Sequence, residues 1–443
     1  MKTFFKSAYI ALLSGALLTG CADRLDISPK DSVPSSNAIN NRASAAAAIN
    51  GLYSDVQDPT LAFDGLIALN QMFSDECIHT GTFPTRLEFG SFNVFPANTT
   101  MAAVFSDFYD VINIANNIIE LVPAVEDESF TQEDRDNFVA QARFVRAYMY
   151  MYIAENWGTA PLVLDATAEV GDVLNVPNST KAAIYTQIFD DLNYAKDNLS
   201  ASNGSAYATP DAATAVLARC HLMNGNYAEA LAEAESLIDV YALSADYAGI
   251  FAGDLSEVIW YLDFNSIDAN TNAFFYFSDT KGGRQSISPS PELIAAYEDG
   301  DVRFAASIDT STAIPHGIKY NDIAAGTDPI YMIRYAEILL IAAEAAAEGG
   351  DYAAASSYVN EVRARAGLGE VTLDASNYVE VIFQEKFVEL AMETPLRTWD
   401  IRRRGMEADY LVPVGYEDPC DGLWPIPQRD LDRNPNLGQN ECY

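Results

Sequence analysis

Three glutamates at successive i, i+4 positions, Glu385, Glu389 and Glu393, are the first residues in this chain whose type and spacing could do chemistry. Paired carboxylates hydrolyse glycosides when they flank a cleft at a set separation. Lys386 and Arg397 lie nearby, and surface ion pairs along a helix explain the same spacing, which is the reading adopted. Cys220-His221 sets a thiol beside an imidazole, but adjacent residues on a helix point apart, so Cys220 reads as a small buried side chain. The sequence contains no Gly-x-Ser-x-Gly, P-loop or Gly-x-Gly-x-x-Gly. It has three histidines in all, and its cysteine spacings match no zinc motif. The expectation is a protein that is not an enzyme, with no metal and no cofactor.

Cys21 carries a different chemistry. Lys2 and Lys6 precede a short apolar run from Tyr9 to Leu18, closed by Leu18-Thr19-Gly20-Cys21. A run this short is an export signal rather than a spanning helix, and the Leu-x-Gly-Cys ending is a bacterial lipobox. The Cys21 thiol would take a diacylglycerol, with cleavage after Gly20 and further acylation of the new amino terminus. Two or more acyl chains make such a tether effectively stable. Residues 1–20 are thus read as signal, 21–40 as a lipidated, Pro- and Ser-containing leash, and 41–443 as the body. Of the later cysteines, Cys420 and Cys442 lie in the Pro-rich C-terminal segment of an exported chain. A bridge between them would close a loop of about 23 residues and stabilise by roughly 3 kcal/mol in the chain-entropy account.

Charge narrows the partners. The chain of 443 residues holds 26 Lys plus Arg against 63 Asp plus Glu, a net of −37. Loss of Lys2 and Lys6 with the signal leaves a net of −39. Nucleic acid and anionic membrane surfaces are poor partners for such a body, and solubility in a salty exterior is the preferred reading.

The elements that must position any site are mostly helical. Arg42–Val56 starts the pattern; from about Met101 to Leu121, Val104, Phe108, Val111, Ile112, Ala115 and Ile118 recur at threes and fours. Glu133–Glu155 and Lys181–Leu199 continue it. Two later segments resemble each other: Ala218–Ile238 contains Gly225-Asn226-Tyr227-Ala228-Glu229-Ala230, and Tyr335–Ala366 contains Gly350-Asp351-Tyr352-Ala353-Ala354-Ala355. Each predicts an Ala-rich helix stopped at Gly, with Asn or Asp capping the next one. This is the logic of tetratricopeptide helix pairs, here far apart in sequence. The fold class expected is mostly all-α, a scaffold of such pairs carrying a loop-rich ligand-binding layer. That layer should come from about 76–100, with Phe83, Phe89, Phe92 and Phe95, and from 261–291, with Phe264 and the run Phe274 to Phe277. Trp157, Trp399 and Trp424 read as core wedges, while Trp260 could face either way.

Ordered motifs along nearly the whole chain resemble the RagB/SusD family of surface nutrient-binding lipoproteins. Ala47 with Ile49-Asn50-Gly51-Leu52-Tyr53 is similar to its first helix. Gln141-Ala142-Arg143-Phe144-Val145-Arg146-Ala147-Tyr148 and Trp157-Gly158-Thr159-Ala160-Pro161-Leu162 follow, then Pro291-Glu292-Leu293-Ile294 with Asp301-Val302-Arg303. The most specific block is Arg334-Tyr335-Ala336-Glu337-Ile338-Leu339-Leu340 with Ala343-Glu344-Ala345 and Asn360-Glu361-Val362-Arg363. Glu389-Leu390, Glu393, Arg397 and Asp400-Ile401 come next, before an end running from Pro425-Ile426-Pro427 to Tyr443. Gln384-Glu385-Lys386, Thr394 and Cys442 depart from the family pattern. The resemblance implies non-catalytic capture of oligo- or polysaccharide at the outer membrane and delivery to a SusC-like TonB-dependent transporter. Capture of peptide for a peptide importer is the alternative it leaves, since peptide grooves bond main-chain groups and none is legible here.

Within the two loop segments the candidate ligand-binding residues are His79, Phe83, Arg86, Phe89, Phe92, Tyr276, Phe277, Lys281, Arg284 and Gln285. Rings would stack on sugar C–H faces, with polar side chains on hydroxyls. Arg86 is the only cation between Arg42 and Arg135, and Lys281 and Arg284 the only ones between Arg219 and Arg303. That placement suits an anionic group such as a uronate. It suits equally an offset of Asp75, Glu76, Glu88 and Asp279, which leaves a neutral glycan open.

Overall fold

The computed structural model describes residues 38–167, 176–417, 422–441 and 443. The readings placed on the signal, on Cys21 and on a Cys420–Cys442 bridge lie outside these described residues.

The scaffold is helical, as expected. Its helices are α1 (Arg42–Val56), α2 (Thr99–Leu121), α3 (Gln132–Trp157), α4 (Lys181–Asn198), α5 (Pro210–Met223), α6 (Tyr227–Glu235), α7 (Tyr335–Glu348), α8 (Tyr352–Arg365), α9 (Tyr378–Glu389) and α10 (Leu396–Arg404). Polar caps start most of the early ones. Asn98 accepts from Met101 N at 3.0 Å, Thr131 from Asp134 N at 3.1 Å and Thr180 from Ala183 N at 3.2 Å. Thr209 does the same for α5, with Pro210 just inside it, where its missing N–H costs nothing. α3 is buried on nearly every side from Val139 to Trp157, which makes it the central helix.

Helices pack in sequence order: α2 on α3, α3 on α4, α4 on α5, α5 on α6 and α7 on α8. Between the last two pairs α6 packs on α7, so the similar segments are neighbours despite the long insertion between them. The two turns are built alike. Gly225 and Gly350 take φ of 71° and 86°. Asn226 N then reaches His221 O at 2.9 Å, and Asp351 N reaches Ala346 O at 2.9 Å, which closes both helix ends in the same Schellman geometry. Asp351 caps α8 by accepting from Ala354 N at 3.0 Å. Asn226 holds the cap position of α6 without a side-chain bond to it, because its amide lies 3.4 Å from His221 Nδ1 instead.

Buried charge pairs tie the helices together. Arg146 of α3 forks onto Asp191 of α4 at 2.8 and 2.8 Å. Arg219 of α5 forks onto Glu337 of α7 at 2.6 and 2.7 Å. Bidentate guanidinium–carboxylate bonds combine strength with fixed geometry. The motif residues of the sequence are thus clamps between elements.

Glu385, Glu389 and Glu393 correct the reading of surface ion pairs. All three are buried, and Glu393 lies beyond the end of α9. Arg303 Nη1 reaches Glu385 at 2.6 Å and Glu389 at 3.1 Å, and Arg334 reaches Glu389 at 3.1 Å and Glu393 at 2.7 Å. Burial pushes the Glu389 carboxyl up, but Arg365, Arg334 and Arg303 together hold it well below the usual carboxylate range. The periodicity is helical, yet Arg303, Arg334 and Arg365, from three distant segments, turn that face inward.

Short strand pairs join segments that are distant in sequence. They are β1 (Cys77–His79), β2 (Val258–Leu262), β3 (Ile287–Pro289) and β4 (Ile330–Arg334), with β1 antiparallel to β3 and β2 to β4. Trp157, Trp399 and Trp424 are fully buried, as expected, and Trp260 joins them between Phe144 and Tyr148 at 4.8 and 4.7 Å. Cys220 is buried, its Sγ 3.6 Å from Met151 Sδ, while His221 stacks on Phe189 at 4.5 Å. No described helix is long and apolar enough to cross a membrane.

Candidate functional site

The two aromatic segments meet. The ladder pairs Cys77 with Pro289, Ile78 with Ser288 and His79 with Ile287. Thr80 extends it, donating from N to Ser286 O at 3.1 Å and from Oγ1 to Gln285 O at 2.7 Å. Gly81 lies so close to the second segment that a Cβ there would stand 2.6 Å from Ser286 Cβ. The loop-rich layer is therefore one structure made from both insertions. It is less irregular than the sequence suggested, since Pro84–Gly90 and Asn272–Tyr276 are short helices.

Arg86 sits at its centre, buried. Its guanidinium lies 5.1, 4.6 and 4.4 Å from the ring centres of Phe63, Phe83 and Phe275. Nε and Nη2 bond Asp64 at 2.7 and 2.9 Å. Burial raises the Asp64 carboxyl above its ordinary value, against the pull of Arg86. Arg86 is accordingly neutralised and enclosed, which removes it as a contact for an anionic ligand. Burial, and then the Arg86 charge, lowers the His79 imidazole below its usual value, so it is neutral near pH 7. His79 Nε2 has no hydrogen-bond partner among the described residues.

Above this pillar lies an aromatic surface. Phe274 is 38% exposed and meets Phe275 edge-on at 5.3 Å; Phe83 lies 6.4 Å from Phe275. The exposed Arg284 lies over Phe83, its guanidinium carbon 4.1 Å from the ring centre. Among the described residues Arg284 makes no ion pair. A turn holds it there: Arg284 N donates to Phe274 O at 2.7 Å and Gln285 N to Phe277 O at 2.8 Å. Gly283 makes the turn possible, since a Cβ would fall 2.2 Å from Phe277 O.

Several expected site residues belong elsewhere. Phe89, Phe92 and Tyr276 are corrections: all are in the core and cannot stack on a ligand. Phe89 meets Trp424 edge-on at 4.9 Å, Phe92 packs 5.2 Å from Phe73, and the Tyr276 hydroxyl donates to Gln71. Lys281 is exposed but paired with Asp309. Phe277 packs edge-on to His316 at 5.1 Å, and the Gln285 amide donates to Ile314 O at 2.9 Å and Pro315 O at 3.2 Å. The structure thus brings together His79, Phe83, Arg86 and Arg284, with Arg86 as support. Phe274 and Phe275, already visible in the aromatic run, were the missed surface residues. Phe63 and Asp64 had no signal, since they lie in a π-helical stretch, Thr60–Ala68, that breaks helical periodicity.

The layer and scaffold define a class. The profile described as "Starch-binding associating with outer membrane" matches residues 25–222, and that of the "SusD family" matches residues 318–443. The chain belongs to the SusD/RagB family. It is 28% identical to SusD-like protein P2 of Formosa agariphila, with 98% of this chain and 99% of that one covered. Among solved structures it is similar to a SusD superfamily protein from Bacteroides vulgatus, with a TM-score of 0.83, 21% identity, and 91% and 99% of the two chains covered. A laminarin-binding SusD-like protein matches with a TM-score of 0.81, 22% identity and coverage of 91% and 100%. Surface glycan-binding protein A from Bacteroides fluxus matches at 0.79, 19% identity and coverage of 91% and 100%.

Proposed function

We propose that this chain captures oligo- or polysaccharide at the cell surface without turnover and delivers it to a TonB-dependent outer-membrane transporter. The observation that carries the reading is the surface of Phe83, Phe275 and Phe274 with Arg284 laid across it. Sugar C–H faces stack on such rings, and a guanidinium placed over one of them can donate to hydroxyls. The names of two structural neighbours, laminarin-binding and surface glycan-binding, support the same ligand class. With Arg86 committed to Asp64 and Lys281 to Asp309, the cation argument for a uronate keeps Arg284 alone of its three residues, and a neutral glycan needs none of them. The buried pairing of Glu385, Glu389 and Glu393 supports binding rather than hydrolysis. The lipobox at Cys21 supports a lipid tether to the outer membrane, with transporter delivery resting on the family resemblance.

A glycan array run beside a peptide panel tests this. Retention of a neutral glycan, with no reducing-sugar release over hours, is expected. Retention of peptides alone would replace the reading with the peptide-import alternative.

A further inference from the structure

A pocket of about 480 Å³ opens between the second half of α1, the turn before α5 and the loop after β2, and it shares no lining residue with the aromatic surface. We propose that it is a second saccharide site, for a neutral sugar unit. The proposal rests on the carbohydrate reading above, and its test separates the two.

The volume falls in the range of small-molecule sites, about 300–1,000 Å³. One wall is the half-buried ring of Tyr207, held edge-on at 4.8 Å by Tyr53. Tyr53 is itself fixed, donating to Gln141 Oε1 at 2.6 Å and accepting from Ala208 N at 2.8 Å. The ring therefore needs no ordering on binding, which lowers the entropic cost of association.

Around it stand polar groups, each already bonded through one end. Asn50 Oδ1 accepts from the Tyr207 hydroxyl at 3.2 Å, and its amide N–H groups have no partner among the described residues. Gln57 Nε2 donates to Asp263 O, so its Oε1 remains an acceptor. Asn265 Oδ1 accepts from Ile267 N at 2.8 Å and Asp268 N at 3.2 Å, which leaves its N–H groups as donors. The Asp263 and Asp268 carboxylates also line the pocket, and neither is in an ion pair among the described residues. Oriented donors and acceptors beside an aromatic wall match an array of sugar hydroxyls. With two carboxylates and no cation in the lining, a uronate or other anion is repelled.

The test is calorimetry on the full-length body with laminari-, malto-, xylo- and fructo-oligosaccharides, their polymers, and oligogalacturonate. Wild type should bind two equivalents of one neutral oligosaccharide. Asn50→Ala/Gln57→Ala, both near the surface, should lose one equivalent and weaken polymer binding by about tenfold or more, as expected when two linked sites become one. Phe83→Ala/Phe274→Ala should keep the pocket's equivalent. Hydrogen exchange should slow at 262–268 on ligand addition in wild type alone of the pocket pair. Unchanged stoichiometry in Asn50→Ala/Gln57→Ala, or oligogalacturonate binding that this variant loses, overturns the second site and leaves the carbohydrate reading standing. Binding of no panel member by wild type overturns both.

Discussion

Arg86 faces Asp64 through two bonds, Nε to Oδ1 at 2.7 Å and Nη2 to Oδ2 at 2.9 Å, beneath the rings of Phe83 and Phe275. The pair is a pillar under the ligand face. Arg86→Ala leaves the Asp64 carboxylate buried and unpaired, which should cost about 3–5 kcal/mol in urea unfolding. Arg284→Ala, at an exposed cation outside any ion pair among the described residues, should change stability by no more than about 0.5 kcal/mol and act on ligand affinity instead. Equal stability of the two variants would contradict this division of labour.

Glu76 gives a pH signature. Burial first, then the adjacent Asp75 charge, pushes its carboxyl up to about 8 against the bond from Met392 N, from an ordinary 4.5. Folding therefore takes up a proton between those values. The stability involved is full below about pH 4.5 and is lost as pH rises through about 8, at no more than about 1.4 kcal/mol per pH unit. Glu76→Gln keeps the acceptor for Met392 N and should flatten that slope in denaturation curves taken from about pH 5 to pH 8. A variant with the wild-type slope would assign it to other groups.

The scaffold was legible because its cues are local. Helical spacing from Val104 to Ile118 fixes a buried face, and Gly225 and Gly350 mark turns that need positive φ. The meeting of the two aromatic segments followed from their shared composition. What was not legible depends on distant partners. Phe89, Phe92 and Tyr276 look like Phe83 in sequence, and only Trp424, Phe73 and Gln71, brought in from elsewhere, make them core. Glu389 looked like a surface residue until Arg303, Arg334 and Arg365 closed over it.

The cysteines make a separate prediction. Cys77 and Cys220 are buried free thiols. If Cys420 and Cys442 are bridged, denatured but unreduced mature protein should react at two thiols; four would contradict the bridge.

Lipidation is checked at Cys21. Cys21→Ala should abolish palmitate labelling and leave the signal uncleaved or the body soluble. Labelling retained in that variant would remove the tether from the account.

The central claim is that the aromatic surface of Phe83, Phe274 and Phe275 holds the glycan, and titration of the neutral oligosaccharide retained on the array measures it most directly. Phe83→Ala/Phe274→Ala should weaken binding at this face by about tenfold or more, while the fold, anchored by Arg86 on Asp64, stays intact. Wild-type affinity at both binding equivalents in this double variant would contradict it.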